Sequence, residues 1–227
     1  MASPVAYDEP TFQKAWDAFL QHIPVLLAVW LAGFLVTVAG FVVSFVILIS
    51  LGGFADGNDA AIGVASITGQ LAQVPFSILS SLIGVLMVAI PAIYYEIGEV
   101  VTVGGAFQHL TARFWRYVLA GLLFSFITTV GFLLCVLPGI AVALVTPVYV
   151  NRIFVTDLSI ADAFSQSFQA TYRSENGIAF VGLEILIGLL VVVVSVVTCG
   201  LGALLAVPMG SFYLQNAAYQ RLSLIHI

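Results

Sequence analysis

The positively charged residues of this chain all lie at the same end of its long apolar segments, and this arrangement constrains the fold most. The six residues are Lys14, Arg113, Arg116, Arg152, Arg173 and Arg221. Lysine and arginine are retained on the cytoplasmic side when a membrane protein inserts. The pattern therefore predicts a multi-pass membrane protein with both termini in the cytoplasm and an even number of crossings.

The composition leads to the same class of protein. Hydrophobic residues make up 62% of the chain and charged residues 7%, whereas a soluble domain has about 25% charged residues. The formal net charge of −5 comes from dispersed carboxylates, and the few basic residues form no patch of the kind that binds nucleic acid. The predicted partners are therefore the lipid bilayer and other membrane proteins, not nucleic acid.

Hydrophobic length predicts six transmembrane helices. A spanning helix needs about 20 apolar residues, and four segments meet this requirement: Ile23–Ile49, Val74–Tyr95, Tyr117–Leu137 and Ile178–Val197. Two shorter segments are predicted to be return helices, because each follows a turn rich in glycine or proline. They run from Ile140 to about Thr156, after Pro138-Gly139, and from Leu201 to about Tyr219, after Cys199-Gly200. The predicted fold is an all-α bundle of three hairpins, in a single transmembrane domain over residues 1–221.

Each predicted hairpin is preceded by a short stretch whose apolar residues have helical spacing. The three stretches are Phe12, Trp16, Phe19 and Leu20; Phe107, Leu110 and Phe114; and Ile160, Phe164 and Phe168. They are either separate amphipathic helices at the cytoplasmic interface or the first turns of the spans that follow. Pro10 and the capping box from Ser159 to Asp162 favour separate helices for the first and third. The recurrence also predicts an internal repeat of three units, although unrelated membrane hairpins share much of this pattern.

Two further segments lie outside the predicted spans. Leu51–Gln73 is expected to begin as an acidic loop on the outer side, with a short surface helix over Ala60–Ala72. The terminal run Leu222–Ile227, with the sequence LSLIHI, looks like the translation of a sequencing-adapter sequence. It is expected to be a non-native tail, and a natural apolar tail is the alternative.

The second half of the chain carries a pattern that resembles a known group. The pattern consists of Leu137-Pro138-Gly139-Ile140, Asp157, Ser159, the run Ala163–Phe168 and Ala218-Tyr219. It resembles the membrane domain attached to some bacterial glycerophosphodiester phosphodiesterases, and it is similar to several six-helix bacterial membrane families. The resemblance covers roughly residues 105–221. Because the phosphodiesterase chemistry of that group resides in a separate soluble domain, the resemblance implies a module of the bacterial cytoplasmic membrane without catalytic residues.

The sequence contains no catalytic, cofactor-binding or metal-binding pattern. Neither His22 nor His109 has a cysteine or carboxylate neighbour at metal-ligand spacing. A nucleophile elbow and a phosphate-binding loop are also missing. The sequence therefore predicts a protein that is not an enzyme and that needs no cofactor or metal.

Charged residues within the apolar segments are the best candidates for a functional site, because each costs about 2.5–3.5 kcal/mol at the centre of a membrane helix. Glu184 lies about 10 Å along the fifth span at 1.5 Å per residue, Arg152 lies at a comparable depth in the fourth, and Glu96 ends the second. The structural alternatives for Glu184 and Arg152 are an ion pair between helices or side chains that reach toward the interface. The functional alternative is a polar site open to the cytoplasm, in which Glu184 binds a cation or a proton. The other members of that site are Asn151, Tyr149 and Gln215.

These features leave two main hypotheses for function. The leading one is a non-enzymatic membrane module that organises or regulates membrane partners or lipids. The alternative is a transporter or channel for a small solute or ion that uses the polar site near Glu184. Convergence of Glu184, Arg152 and Asn151 on one water-filled cavity would favour transport, whereas a closed, dry core would favour the module.

Overall fold

The computed structural model describes residues 2–52 and 59–222. Its regular structure within these ranges is entirely helical, which confirms the all-α prediction. A short 3-10 helix at Pro4–Tyr7 precedes the α-helices, whose bounds are α1 Phe12–Gly52, α2 Asp59–Ile97, α3 Val103–Ala112, α4 Phe114–Leu134, α5 Val136–Ala143, α6 Thr146–Val155, α7 Ile160–Arg173, α8 Gly177–Val197 and α9 Ala203–Leu222.

Four of the described helices are long and apolar enough to cross a membrane: α1, α2, α4 and α8. The consecutive helices α5 and α6 meet at a bend of 40° and add a fifth candidate if they form one broken span. Several spans of this kind indicate a membrane protein. The remaining long helix, α9, carries Gln215, Asn216, Gln220 and Arg221 in its second half, and these polar residues lower its hydropathy.

The chain divides into two compact units, one of Leu27–Gly84 and one of Met1–Leu26 with Val85–Ile227. Both α1 and α2 pass from one unit into the other, so the division does not separate two independent segments of chain. The single domain expected over residues 1–221 stays a prediction. Within the smaller unit, α1 and α2 approach closely where small residues face each other. The Thr37 and Ser80 hydroxyls lie 2.8 Å apart, and a Cβ placed on Gly40 would lie 2.6 Å from Cβ of Phe76.

Of the amphipathic stretches, the first forms the opening turns of a long helix, whereas the other two correspond to separate short helices. The stretch beginning at Phe12 is not a separate helix, because α1 continues from it to Gly52 and passes Pro24 without a break. In contrast, α3 and α7 are separate helices with N-terminal caps. The backbone N–H of Gly105 donates to Thr102 Oγ1 at 3.1 Å, and that of Asp162 donates to Ser159 Oγ at 3.1 Å. The predicted cap at Ser159 is confirmed.

Two predicted connections need correction. Ala60–Ala72 is not a surface helix but the first turns of α2, and residues 53–58 of the predicted acidic loop lie outside the described residues. The reversal expected at Pro138-Gly139 occurs earlier, at Cys135, which is extended with φ −172° and ψ 154°. Gly139 lies within α5, where a Cβ would overlap the ring of Phe132 on α4. Glycine is therefore needed there for close helix packing, not for the turn.

The other predicted reversal, at Cys199-Gly200, is confirmed. Between α8 and α9, Cys199 has φ +52° and Gly200 has φ +92°, so the chain turns through the left-handed region that glycine favours. The predicted tail over residues 222–227 lies outside the described residues except for Leu222, which ends α9.

Candidate functional site

Two of the predicted site residues meet in a buried polar cluster. The Asn151 amide on α6 donates to Gln215 Oε1 at 3.2 Å and to the Tyr219 hydroxyl at 3.0 Å, both on α9. Gln215 in turn donates to the Pro147 carbonyl at 2.8 Å. Asn151 is 1% exposed, and Gln215 and Tyr219 are fully buried. The side-chain hydrogen bonds join α6 to α9 and leave these amides facing one another rather than an open cavity.

The cluster extends to the end of α2 through Tyr219. Its hydroxyl donates to Glu96 Oε2 at 3.1 Å. Hence Glu96, which the sequence marked as a charge at the end of a span, belongs to the polar network. In the sequence, Tyr219 is part of the pattern that resembles the phosphodiesterase membrane domain, and it is not one of the predicted site residues. Its position four residues after Gln215 places both side chains on one helix face. The hydrogen bond between Tyr219 and Glu96 gives no comparable signal in the sequence, because the two residues lie 123 positions apart in the chain.

The N-terminal segment covers the same end of the helices. The Ser3 backbone N–H donates to the carbonyls of Tyr95 and Glu96, at 3.2 and 3.0 Å, which are among the last carbonyls of α2 and have no partner within the helix. The Asn216 side chain donates to the carbonyls of Ala6 and Asp8, at 3.0 and 3.2 Å. The segment thus caps α2 and packs beside the polar cluster.

His22 is a structural histidine with both ring nitrogens bonded. The Val101 backbone N–H donates to Nε2 at 3.1 Å, so Nε2 must carry the lone pair. The hydrogen is therefore on Nδ1, which lies 2.7 Å from the Ala18 carbonyl. The ring is fully buried and lies between Tyr94 and Phe212 at centroid distances of 4.9 and 5.0 Å. This environment fits a neutral core side chain rather than a metal ligand.

Tyr149 and Arg152 belong to α6, but neither joins the amides of the cluster. The Tyr149 hydroxyl donates to the Ala120 carbonyl on α4 at 3.1 Å, and its ring stacks on Phe124 at 5.1 Å. Arg152 donates from Nη1 to Gln166 Oε1 on α7 at 3.0 Å. Its buried Nε has no hydrogen-bond partner in the described chain.

Glu184 lies apart from the cluster, and the expected ion pair with Arg152 does not form. The ion pairs found among the described residues join Lys14 to Asp8 and Arg113 to Asp157. Glu184 lines an apolar groove of about 320 Å³ between α8 and α9, and its buried Oε2 has no hydrogen-bond partner there. Burial and the nearby negative charge of Glu184 raise the pKa of the Tyr172 phenol on α7, so Glu184 lies within electrostatic reach of that helix.

One face of α7 forms a second concave surface. Small buried residues, Ala163, Ser167 and Thr171, hold the helix against the protein, while the rings of Phe164, Phe168 and Tyr172 follow one another at centroid distances of 6.4 and 4.8 Å. Beside these rings lies a depression of about 350 Å³, which we call the α7 surface. Its lining residues are Phe164, Ser165, Phe168, Gln169 and Arg173.

Within residues 2–52 and 59–222, no three His, Cys, Asp or Glu side chains are grouped so that they could hold a metal ion. In comparisons with known proteins, no family model, curated protein or solved structure matches the chain.

Proposed function

We propose that this chain is a non-enzymatic, multi-pass module of the bacterial cytoplasmic membrane that binds anionic phospholipid at its cytoplasmic surface. The observation that carries the proposal is the separation of the polar residues. Asn151 and Gln215 are hydrogen-bonded to each other in a buried cluster. Arg152 donates to Gln166 on α7, and Glu184 lies in the groove between α8 and α9. A closed polar core supports a structural module rather than a solute pathway.

The membrane arrangement belongs to the same proposal. We propose six crossings as three hairpins, in which α5 with α6 and then α9 are the return spans. Val136–Val155 and Ala203–Leu222 each contain 20 residues, a length of about 30 Å at 1.5 Å per residue, which equals the thickness of the hydrocarbon core. This arrangement puts both termini and all Lys and Arg residues on the cytoplasmic side. The resemblance to the phosphodiesterase membrane domain is consistent with such a module.

The α7 surface has the chemistry of a lipid-headgroup contact. Amphipathic helices at a membrane interface place aromatic and aliphatic side chains among the acyl chains and cations beside the headgroups. Phe168 is 36% exposed, and the exposed Arg173 lies at the end of the same face, with Ser165 and Gln169 as further polar groups. An anionic phosphate beside Arg173 and an acyl chain along Phe164 and Phe168 would occupy this depression.

Lipid binding by the full chain tests this role. Native mass spectrometry would compare phosphatidylglycerol with phosphatidylcholine for the wild type and for Arg173→Gln. We expect about a fivefold loss of phosphatidylglycerol affinity, because one cation near an anionic membrane surface contributes about 1 kcal/mol and 1.4 kcal/mol corresponds to about tenfold. Lys14→Gln is the matched control, since Lys14 is already paired with Asp8 at 3.2 Å. Equal losses for the two variants would refute the α7 surface as the binding site.

Transport of a small solute or ion is the second candidate, because one oxygen of Glu184 is buried without a partner. Uptake by vesicles reconstituted with the full chain distinguishes the two functions. The module predicts no uptake above that of protein-free vesicles, and identical behaviour for the wild type and Glu184→Gln. Uptake that the Glu184→Gln variant abolishes would replace the module with a transporter.

A further inference from the structure

The groove between α8 and α9, which we call the Glu184 groove, is apolar except for two side chains. The two are Glu184 and Ser211, and the apolar lining includes Ile187, Gly188, Val191 and Val207. The helices are antiparallel, and a Cβ on Gly210 would lie 2.9 Å from Cγ2 of Ile187, so the two backbones approach closely at the floor. Glu184 and Leu214 lie toward one end of the groove, and Val191 and Val207 toward the other.

Glu184 has no compensating charge in this groove. Its Oε2 is buried without a hydrogen bond, and none of the lining residues is basic. Arg221, near the end of α9, donates from Nη1 to the Ala179 carbonyl on α8 at 3.4 Å. An ionised carboxylate among apolar groups is strongly disfavoured unless an opposite charge or hydrogen-bond donors accompany it, and a carboxylate without them takes up a proton instead. A ligand that carries a cation would supply that charge.

We propose that the Glu184 groove binds a lipophilic monocation, namely a protonated amine attached to a hydrocarbon body. The ammonium group pairs with the Glu184 carboxylate. The hydrocarbon body lies along Ile187, Gly188 and Val191 on α8 and Val207 on α9. The exposed side of the groove is the lipid-facing side of a membrane helix pair, so the ligand enters from the bilayer.

The size and charge of the groove favour such an amine over a phospholipid. A volume of about 320 Å³ lies at the lower end of the about 300–1,000 Å³ typical of small-molecule sites, which is too small for a lipid with two acyl chains. A phospholipid headgroup would also bring a phosphate beside the carboxylate, and like charges repel. This inference uses a different surface from the α7 surface, so each can fail without the other.

Two glycines of α8 provide a matched pair of variants. A Cβ on Gly188, in the groove, and a Cβ on Gly182, outside its lining, would each meet nothing within 4 Å. Both positions therefore accept a larger side chain without a clash at Cβ. Gly188→Phe fills the groove and leaves the carboxylate in place, whereas Gly182→Phe adds the same ring elsewhere on the helix. The corresponding charge control for Glu184→Gln is Glu175→Gln, at an exposed position.

The experiment measures binding of radiolabelled dodecylamine to the full chain in phosphatidylcholine nanodiscs, with empty nanodiscs subtracted. We expect saturable binding that weakens about tenfold or more in Glu184→Gln, since pairing with an ionised group is among the strongest polar contacts, and similarly in Gly188→Phe. The two control variants should bind like the wild type. Unlabelled dodecanol, which has the same tail without the charge, should not compete.

Several results would overturn the proposal. Binding that is not saturable, or that dodecanol displaces as well as dodecylamine does, would show partition of the tail alone. Competition by sodium ions at equal strength would show a site for a small cation, and competition by phosphatidylethanolamine would show a lipid-headgroup site. If Glu184→Gln does not fold, unchanged binding in Gly188→Phe would still refute the proposal.

Discussion

Tyr219→Phe removes a single oxygen atom from the centre of the polar cluster, and its effect on stability follows from two hydrogen bonds. The hydroxyl accepts from the Asn151 amide at 3.0 Å and donates to the Glu96 carboxylate at 3.1 Å. Because Tyr219 and Asn151 are both buried, water cannot take the place of the hydroxyl beside the Asn151 amide without opening the helices. The phenylalanine ring keeps the apolar contacts of the tyrosine.

The expected loss is the sum of a neutral and a charged hydrogen bond. A neutral bond contributes about 0.5–1.5 kcal/mol and a bond to a charged group about 1.5–3 kcal/mol, so the variant should lose about 2–4.5 kcal/mol of unfolding free energy. Polar couplings measured between membrane helices average only about 0.6 kcal/mol, and a loss near that value would indicate that the unfolded helices find other partners. In a double-mutant cycle, Asn151→Ala and Tyr219→Phe should be non-additive, because they remove the same bond.

The assay is reversible unfolding of the full chain in mixed micelles, followed by helix content and by the fluorescence of the three tryptophans. Tyr213→Phe is the control, because it makes the same change on the same helix at a half-buried hydroxyl with no hydrogen bond in the described chain. Equal stability of Tyr219→Phe and Tyr213→Phe would refute the role assigned to the cluster. Additive effects of Asn151→Ala and Tyr219→Phe would refute the hydrogen bond between them.

Two further predictions concern the backbone. Gly98→Ala should lose about 1–3 kcal/mol of unfolding free energy, since Gly98 has φ +75° and its Cβ would lie 2.7 Å from Cβ of Ser3. Gly104→Ala, with open space at Cβ, should lose none in the same unfolding assay. Equal stability of the two variants would refute the role of the N-terminal segment in capping α2. Ser159→Ala should lose about 1 kcal/mol of unfolding free energy, because it removes the N-cap of α7. A change below about 0.3 kcal/mol, less than the usual loss of such a cap, would show that α7 is held by packing alone.

Local signals in the sequence predicted local structure well. Three predictions are confirmed: the Ser159 cap, the Cys199-Gly200 turn and the all-helical fold. Each of these features depends on residues close together in the chain, and the sequence shows such residues directly. The prediction of a separate amphipathic helix beginning at Phe12 was wrong. Pro10 does mark a helix start near Phe12, but nothing in the local pattern indicated that the helix would pass Pro24 and continue into the span.

The ion pair between Glu184 and Arg152 shows the limit of such reasoning. Both residues lie at comparable depths in their helices, and depth is readable from hydrophobic length. The direction in which a side chain points around the helix axis cannot be read in this way, because it depends on which neighbour each helix packs against. Arg152 points to Gln166 on α7, and Glu184 points into the groove with α9. Asn151, one residue before Arg152, faces α9 instead.

The most direct test of the membrane arrangement is cysteine accessibility in intact cells. In a background with Cys135→Ser and Cys199→Ser, single cysteines would replace Asp59, Gln108, Glu175 and Gln220 in turn, all of them exposed positions. A membrane-impermeant maleimide should label Asp59→Cys in intact cells, and should label Gln108→Cys, Glu175→Cys and Gln220→Cys only after the membrane is opened. Labelling of any of these three from outside, or protection of Asp59→Cys, would contradict six crossings with both termini in the cytoplasm.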